Sequence, residues 1–413
     1  MSTLTTNPLD VITLRKDFPV LDQKVNGQPL IYFDNAATSQ KPVSVIQAIS
    51  DFYLKDNSNV HRGIHDLSNR ATTAFEQARL KVTKFINATS EEEIIFTRGT
   101  TEGINLLAEA WGRTFLKPGD TILLTQMEHH SNMVPWQIVS QHTGATLDYL
   151  TVNGDEGLLD MGELENKLSS GKVKLLAFTH ISNTLGTINP AKQMCTLARH
   201  YGAVSMIDAA QSIGHCPVDV QDLDCDFLVF SGHKMCGPTG IGVLWGRKAL
   251  LDSMPPYQSG GNMIDRVEYI HSTYKSAPAR FEAGTPDIAG AIGLGAAVDY
   301  IEAIGRETIF THDLELTAYA LDQMRGIENI RILGPAQNHA GSICFVFPKA
   351  HASDIVTLAD AHGIALRGGH HCNQALMHHF GLEATARASF YLYNTTTEVD
   401  IFVRTLKQIA KML

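Results

Sequence analysis

No two of the six cysteines, Cys195, Cys216, Cys225, Cys236, Cys344 and Cys372, stand at the C-x-x-C spacing. That absence argues against both a zinc site and a disulfide framework. The chain also lacks an apolar run of membrane-spanning length, and Met1 to Val20 lack the apolar centre of a secretory signal. Excess positive charge is missing as well: 33 basic against 43 acidic side chains leave a net charge of −10, which argues against a surface built for nucleic acid or anionic lipid. Internal repeats, low-complexity tracts and long linkers are absent. What remains is a chain of 413 residues, 44% hydrophobic and 18% charged. Such a composition suits a cytoplasmic globular protein, and the length suits a large domain with a smaller one beside it.

Helical and strand patterns alternate along most of the chain, the signature of an α/β fold with a largely parallel sheet. Val45, Ile46, Ile49, Phe52 and Tyr53 recur at helical spacing after Pro42, and a second helix reads from Ala71 to Phe85. Strand patterns cover Ile94 to Thr97, Thr121 to Thr125, Leu147 to Thr151, Val173 to Thr179 and Ala203 to Asp208. From Ile330 the order changes: strands at Ile330 to Leu333, Ser342 to Phe347 and Ala386 to Tyr393, with helices at Ser353 to His362 and Val399 to Met412. That is the pattern of a smaller α+β domain.

The most informative stretch runs from Asp226 to Gly240. An apolar, β-prone run ends in Ser231-Gly232-His233-Lys234, so a buried strand delivers one amine into a cleft. A desolvated lysine loses preference for its charged form, and a neutral amine can form a Schiff base with an aldehyde such as that of pyridoxal phosphate. The plainer alternative is a solvent-facing lysine in a Gly-rich hairpin. Asp208, at the end of another apolar strand, can pair with the pyridine nitrogen of such a cofactor, although taken singly it is equally a helix N-cap. Gly99-Thr100-Thr101 opens a helix where free N–H groups and hydroxyls can hold a phosphate, and Thr-Thr is also an ordinary cap. Asn59 to His65, with His61 and His65, reads as a polar loop.

Six segments taken together carry a resemblance: Gly99-Thr100-Thr101-Glu102, Glu128-His129-His130-Ser131-Asn132, Asp208-Ala209-Ala210-Gln211, Ser231-Gly232-His233-Lys234, Arg280-Phe281-Glu282-Ala283-Gly284-Thr285 and Arg367-Gly368-Gly369-His370-His371-Cys372. From about Phe18 to the C-terminus the chain resembles the Suf-type, group II cysteine desulfurases, which are class V aminotransferase-like enzymes that use pyridoxal phosphate. The resemblance implies transferase fold type I, with a large domain built on a mostly parallel seven-stranded sheet plus a small α+β C-terminal domain. The expected division is an N-terminal segment at 1–30 packing with the small domain, a cofactor-binding domain at 31–300 and a small domain at 301–413 that carries the nucleophile.

The resemblance also implies roles. Lys234 would bind the cofactor covalently, Asp208 its pyridine nitrogen and Gln211 its phenolic oxygen, with His129 stacked on the ring. Thr100, Thr101, Ser231 and His233 would grip the phosphate, with Thr285 reaching in from the second subunit of a homodimer. Asn183 would touch both cofactor and substrate, Arg387 would hold the substrate carboxylate, and Arg367 and His61 would complete the substrate site. Cys372 would take sulfur from L-cysteine as a persulfide and pass it to a small Suf-type acceptor protein for iron–sulfur cluster assembly. The residues themselves add that positive charge on the preceding His370 and His371 can favour the Cys372 thiolate, although adjacent side chains need not face the same way. The alternative substrate on the same scaffold is L-selenocysteine.

Several positions, in three segments, depart from the family pattern. Met235-Cys236 stands where Leu-Tyr is usual, Asn373-Gln374-Ala375 replaces a segment that usually ends in proline, and Gly368 replaces a common threonine. The expectation drawn from the short segment before Cys372 is that the persulfide stays close to the cofactor, hidden from small thiols, with Asn373 and Ala375 tuning the acceptor's docking.

Overall fold

Short apolar runs buried on both faces pair best as central parallel strands, and the chain uses them that way. The computed structural model describes residues 9–334 and 337–412, so the first eight residues of the expected 1–30 segment lie outside the described residues. Seven strands form the large sheet: β1 (Ile94–Thr97), β2 (Thr121–Thr125), β3 (Thr146–Leu150), β4 (Val173–Thr179), β5 (Val204–Asp208), β6 (Phe227–Ser231) and β7 (Gly242–Gly246). Their spatial order is β1-β7-β6-β5-β4-β2-β3. Only β7 runs against its neighbours.

The register decides where chemistry can occur. Asp208 stands opposite Thr179 on one side and Val229 on the other. The C-terminal ends of β4, β5 and β6 therefore share one edge, where open α/β sheets bind ligands. Gly242 at the start of β7 allows the turn after β1 to approach the same edge, because a Cβ there would lie 2.5 Å from the Gly99 Cα.

Helices Val43–Asp51, Asp66–Phe85 and Ile288–Ile304 pack together on one side of this sheet. The Ala- and Gly-rich sequence of the third permits the close approach: a Cβ on Gly295 would lie 3.0 Å from the Ala78 Cβ. No single helix among the described residues is long and apolar enough to cross a membrane.

The C-terminal part contributes a second sheet of β8 (Arg331–Leu333), β9 (Ser342–Val346), β10 (Arg367–Gly369) and β11 (Thr385–Ser389), all antiparallel in the order β8-β9-β11-β10. Helices Arg306–Arg325, Ala352–Asp360 and Thr396–Met412 complete its layer. The early chain joins this part: Ile31 and Tyr32 pair with Ile364 and Ala365, and Arg15 donates to Glu398 at 2.9 Å.

Three differences from the sequence reading stand out. Strand β7 was not foreseen, helix Arg306–Arg325 was not foreseen, and the last strand stops at Ser389 instead of reaching Tyr393. Phe390 to Tyr393 remain fully buried, so their apolar run continues as core without a ladder.

Candidate active site

Lys234 leaves β6 through a single 3₁₀ turn, Gly232–Lys234, and its side chain lines a cavity of about 190 Å³ at the shared strand edge. Burial lowers its pKa from 10.5 to about 8, even though the nearby Asp208 carboxylate favours the charged form. A large share of free amine at mild pH is what a nucleophilic lysine needs. Thr100, Thr101, His129, Asn183, Asp208, Gln211, Ser231, His233, Arg367, Cys372 and Arg387 line the same cavity. His61 and Thr285 do not.

At the floor, Asp208 is buried and accepts the Ala210 N–H at 2.9 Å. Burial raises its pKa, partly offset by that N–H and by Lys234, so the carboxylate would gain from a cationic partner in the cavity. Gln211 anchors its amide by donating to the Ala36 carbonyl at 2.9 Å. His129 accepts the Ser131 N–H on Nδ1 at 3.0 Å, and burial pushes its pKa down to about 3, leaving a neutral ring suited to stacking. Behind it, Glu128 accepts from the Thr179 N–H at 3.1 Å and the Asn132 amide at 2.6 Å. Burial lifts the Glu128 pKa to about 8.

One end of the cavity is lined by hydroxyls. The Ser231 Oγ meets the Thr100 N–H and hydroxyl, each at 2.8 Å, and the Thr101 hydroxyl contacts Ser131 at 2.7 Å. Helix Thr100–Leu106 starts here, after Gly99 with φ 147°. A phosphate suits this end, where a helix start and neutral donors converge. Together with the buried acid, the neutral ring and the lysine, the donor set fits pyridoxal phosphate.

The other end is cationic. Arg367 and Arg387 stand directly opposite each other on β10 and β11. Arg387 donates to the Asn183 carbonyl at 2.7 Å and to Asp34 at 3.1 Å, while its buried Nε has no partner. A guanidinium fork with an unused buried donor fits a small carboxylate.

Cys372 is half-buried at this end, the least enclosed of the six free cysteines. Its loop is firmly tied. The Asn183 amide donates to the His371 carbonyl at 2.8 Å, the His130 N–H to the Cys372 carbonyl at 2.8 Å, and the Asn373 amide to the Met127 carbonyl at 2.9 Å. His371 and Cys372 adopt φ values of 53° and 56°, a left-handed conformation uncommon for such residues.

Two expectations for this loop need correction. His371 is buried against Thr385 and held well below the usual imidazole range by burial and by Arg387 and Arg367, while His370 accepts the Cys372 N–H on Nδ1 at 3.2 Å. His371 therefore supplies no positive charge. Lys234, Arg367 and Arg387 are the cations that share the cavity with the thiol. Asn373 is fully buried and anchors the loop, so it cannot meet a docking partner, whereas Ala375 is exposed.

Thr285 lines a separate surface hollow with His61, Arg62, Gly261 and Asn262. His61 also contacts Glu76 at 2.7 Å. Within one chain these residues are apart from the Lys234 cavity. The structure adds Ala36, Ala37, Ser131, Thr179, Ala210 and His371 to the lining. Ser131 and His371 were visible inside quoted motifs, but nothing in the sequence said which way they point.

The sheet, the lysine turn and the cavity define a class V aminotransferase architecture, and the aminotransferase class-V family model matches residues 31–402. The chain belongs to that family. It is 53% identical over 395 residues to a probable cysteine desulfurase of Halalkalibacterium halodurans, covering 96% of this chain and 97% of the relative. The apo structure of a cysteine desulfurase from Thermococcus onnurineus NA1 superposes with a TM-score of 0.93 at 40% identity, covering 99% of this chain and 100% of the other. A cysteine desulfurase from Escherichia coli gives 0.90 at 38% identity, covering 98% of this chain and 100% of the other.

Proposed function

We propose that the chain is a pyridoxal-phosphate-dependent cysteine desulfurase that converts L-cysteine to L-alanine and keeps the sulfur as a persulfide on Cys372. The observation that carries this reading is the meeting, in one cavity, of an amine lowered to about 8, a buried guanidinium with an unused donor, and a half-buried thiol. The name shared by relatives at about 50% identity over nearly the whole chain supports it.

When bound, the cofactor supplies an electron sink for the substrate's α-carbon. The chain's residues do the rest. Asp208, ionised, would hold the ring nitrogen protonated, Gln211 would meet the phenolic oxygen, and His129 would cover the ring face. Thr100, Thr101, Ser231 and His233 would hold the phosphate. Arg387, with Asn183 and Arg367, orients the substrate carboxylate. Lys234, as a free amine, would remove the α-proton and return it. The Cys372 thiolate then attacks the substrate sulfur. A sulfur–sulfur bond forms, the substrate carbon–sulfur bond breaks, its electron pair stays with carbon, and a proton completes the methyl group of alanine.

The same reading makes the protein a cytoplasmic homodimer of the Suf-type branch, divided into 1–30, 31–300 and 301–413. Thr285 and His61 complete the partner's cavity, a role supported by their shared hollow and by Ile64, Val267, Tyr269 and Ile270, apolar side chains exposed nearby in the chain. The tied Cys372 loop favours collection of sulfur by a docking acceptor protein for iron–sulfur cluster assembly. The test compares L-cysteine and L-selenocysteine turnover in the unmodified chain and in Cys372→Ala. Loss of cysteine turnover alone supports a desulfurase; selenocysteine turnover that far exceeds cysteine turnover and survives the substitution identifies a selenocysteine lyase.

A further inference from the structure

A lysine outside every motif sits directly behind the lysine turn. Lys41 donates its amine to the His233 carbonyl at 3.0 Å, to the Thr38 hydroxyl at 3.2 Å and to the Ser39 carbonyl. The His233 carbonyl also receives the Ser39 N–H at 3.1 Å and the hydroxyls of Thr38 and Ser39 at 3.0 and 3.1 Å. Lys41 is half-buried, and among the described residues no carboxylate pairs with it. Burial lowers its pKa to about 8, opposed by Cys236. A desolvated ammonium bound only to neutral oxygens is costly, and such a site gains from any anion within reach.

The cavity has a matching deficit. The phosphate end is lined by Thr100, Thr101, Ser131, Ser231 and His233, all neutral, because His233 is pushed down to about 4 by burial, Lys234 and Lys41. Arg367 and Arg387 belong to the Cys372 end, and Lys234 would be occupied by the cofactor's aldehyde. Within one chain, a phosphate dianion held only by hydroxyls and a neutral imidazole would lack a counter-charge. The Lys41 amine lies 3.0 Å from the His233 carbonyl, and His233 itself lines the cavity, so only this residue separates the ammonium from the phosphate end.

We propose that Lys41 is part of the cofactor's phosphate site, placed one residue layer behind His233, and that the phosphate dianion is the counter-charge its ammonium lacks. The inference rests on the pyridoxal phosphate reading above and deepens it. The competing role is purely mechanical, with Lys41 holding the His233–Lys234 turn.

The two roles separate when binding of pyridoxal phosphate is compared with binding of pyridoxal, which lacks the phosphate. The full chain is stripped of cofactor and titrated with each ligand, following absorbance of the bound form, for the unmodified chain, Lys41→Met, Lys41→Gln and Lys41→Arg. The glutamine variant keeps an amide donor toward the carbonyls and serves if the methionine variant does not fold. A charge role predicts roughly ten-fold weaker binding of pyridoxal phosphate in the neutral variants, near-normal binding in Lys41→Arg, and pyridoxal binding unchanged within about two-fold throughout. Inorganic phosphate should likewise raise the melting temperature of the stripped unmodified chain more than that of Lys41→Gln. Equal weakening for both ligands, or no weakening for either, overturns the proposal. If the unmodified chain binds neither ligand, the cofactor reading itself fails.

Discussion

Arg387 reaches Asp34 with Nη2 at 3.1 Å, while its buried Nε meets no acceptor. Asp34 thus aims the guanidinium without saturating it, and Arg367 approaches the same carboxylate at 3.6 Å. Such a fork awaits an anion. Replacing Arg387 by Lys keeps the charge but loses the planar pair of donors, each charge-assisted bond contributing about 1.5–3 kcal/mol. The expected result is a fall in kcat/KM for L-cysteine of roughly 10²-fold, carried largely by KM, in steady-state alanine assays. An unchanged KM would remove Arg387 from the substrate site.

The lowered lysine gives a pH prediction. Neutral amine is the attacking form, and a pKa lowered from 10.5 to about 8 means that the proton is lost at a lower pH than in a free lysine. Condensation of the stripped chain with pyridoxal phosphate should therefore accelerate as pH rises and level off above about 8. A stopped-flow series across this range measures it, and acceleration continuing toward pH 10 would contradict the assignment. Lys234→Ala should abolish the covalent linkage.

Much of this was legible in the sequence. The lysine strand, Asp208 and the hydroxyl turn announce themselves because each joins an apolar β run to a residue whose burial needs a reason. Strand β7 was hidden by the glycines at both of its ends, Gly242 and Gly246. Helix Arg306–Arg325 was hidden because Asp313 and Thr317 share its buried face with Leu316 and Leu321, which breaks the apolar stripe. Lys41 was unreadable: its role depends on a carbonyl almost two hundred residues away in the chain, at His233. The charge assigned to His371 failed because sequence neighbours can face opposite ways: His370 is exposed, while His371 is buried and loses its proton to burial.

The Cys372 loop should resist small thiols. Asn373, fully buried, ties it to the Met127 carbonyl at 2.9 Å. Asn373→Ala leaves that carbonyl unpaired, a cost of about 1–3 kcal/mol, and frees the loop. The persulfide of this variant should react with small thiols several-fold faster, while stimulation by an acceptor protein falls. Thiol-discharge kinetics with and without the acceptor provide the check. Full turnover of the unmodified chain with a small reductant alone would refute the hidden persulfide.

Composite sites give a complementation prediction. Lys234→Ala and Thr285→Ala chains, mixed and reassociated, should form heterodimers in which one site has both residues intact and the other has neither. Random pairing then restores about a quarter of the normal sites, above the activity of either variant alone. A monomeric mass in sedimentation, or no gain on mixing, would exclude shared sites.

The central claim is that sulfur leaves cysteine onto Cys372. A single-turnover reaction of the purified, cofactor-loaded chain with L-cysteine, quenched without reductant, tests it most directly by peptide mass spectrometry alongside alanine quantitation. The account predicts one added sulfur atom on the Cys372 peptide for each alanine formed, and neither product in Cys372→Ser. A keto acid product with Cys372 unmodified, or alanine formed without the added sulfur, would contradict it.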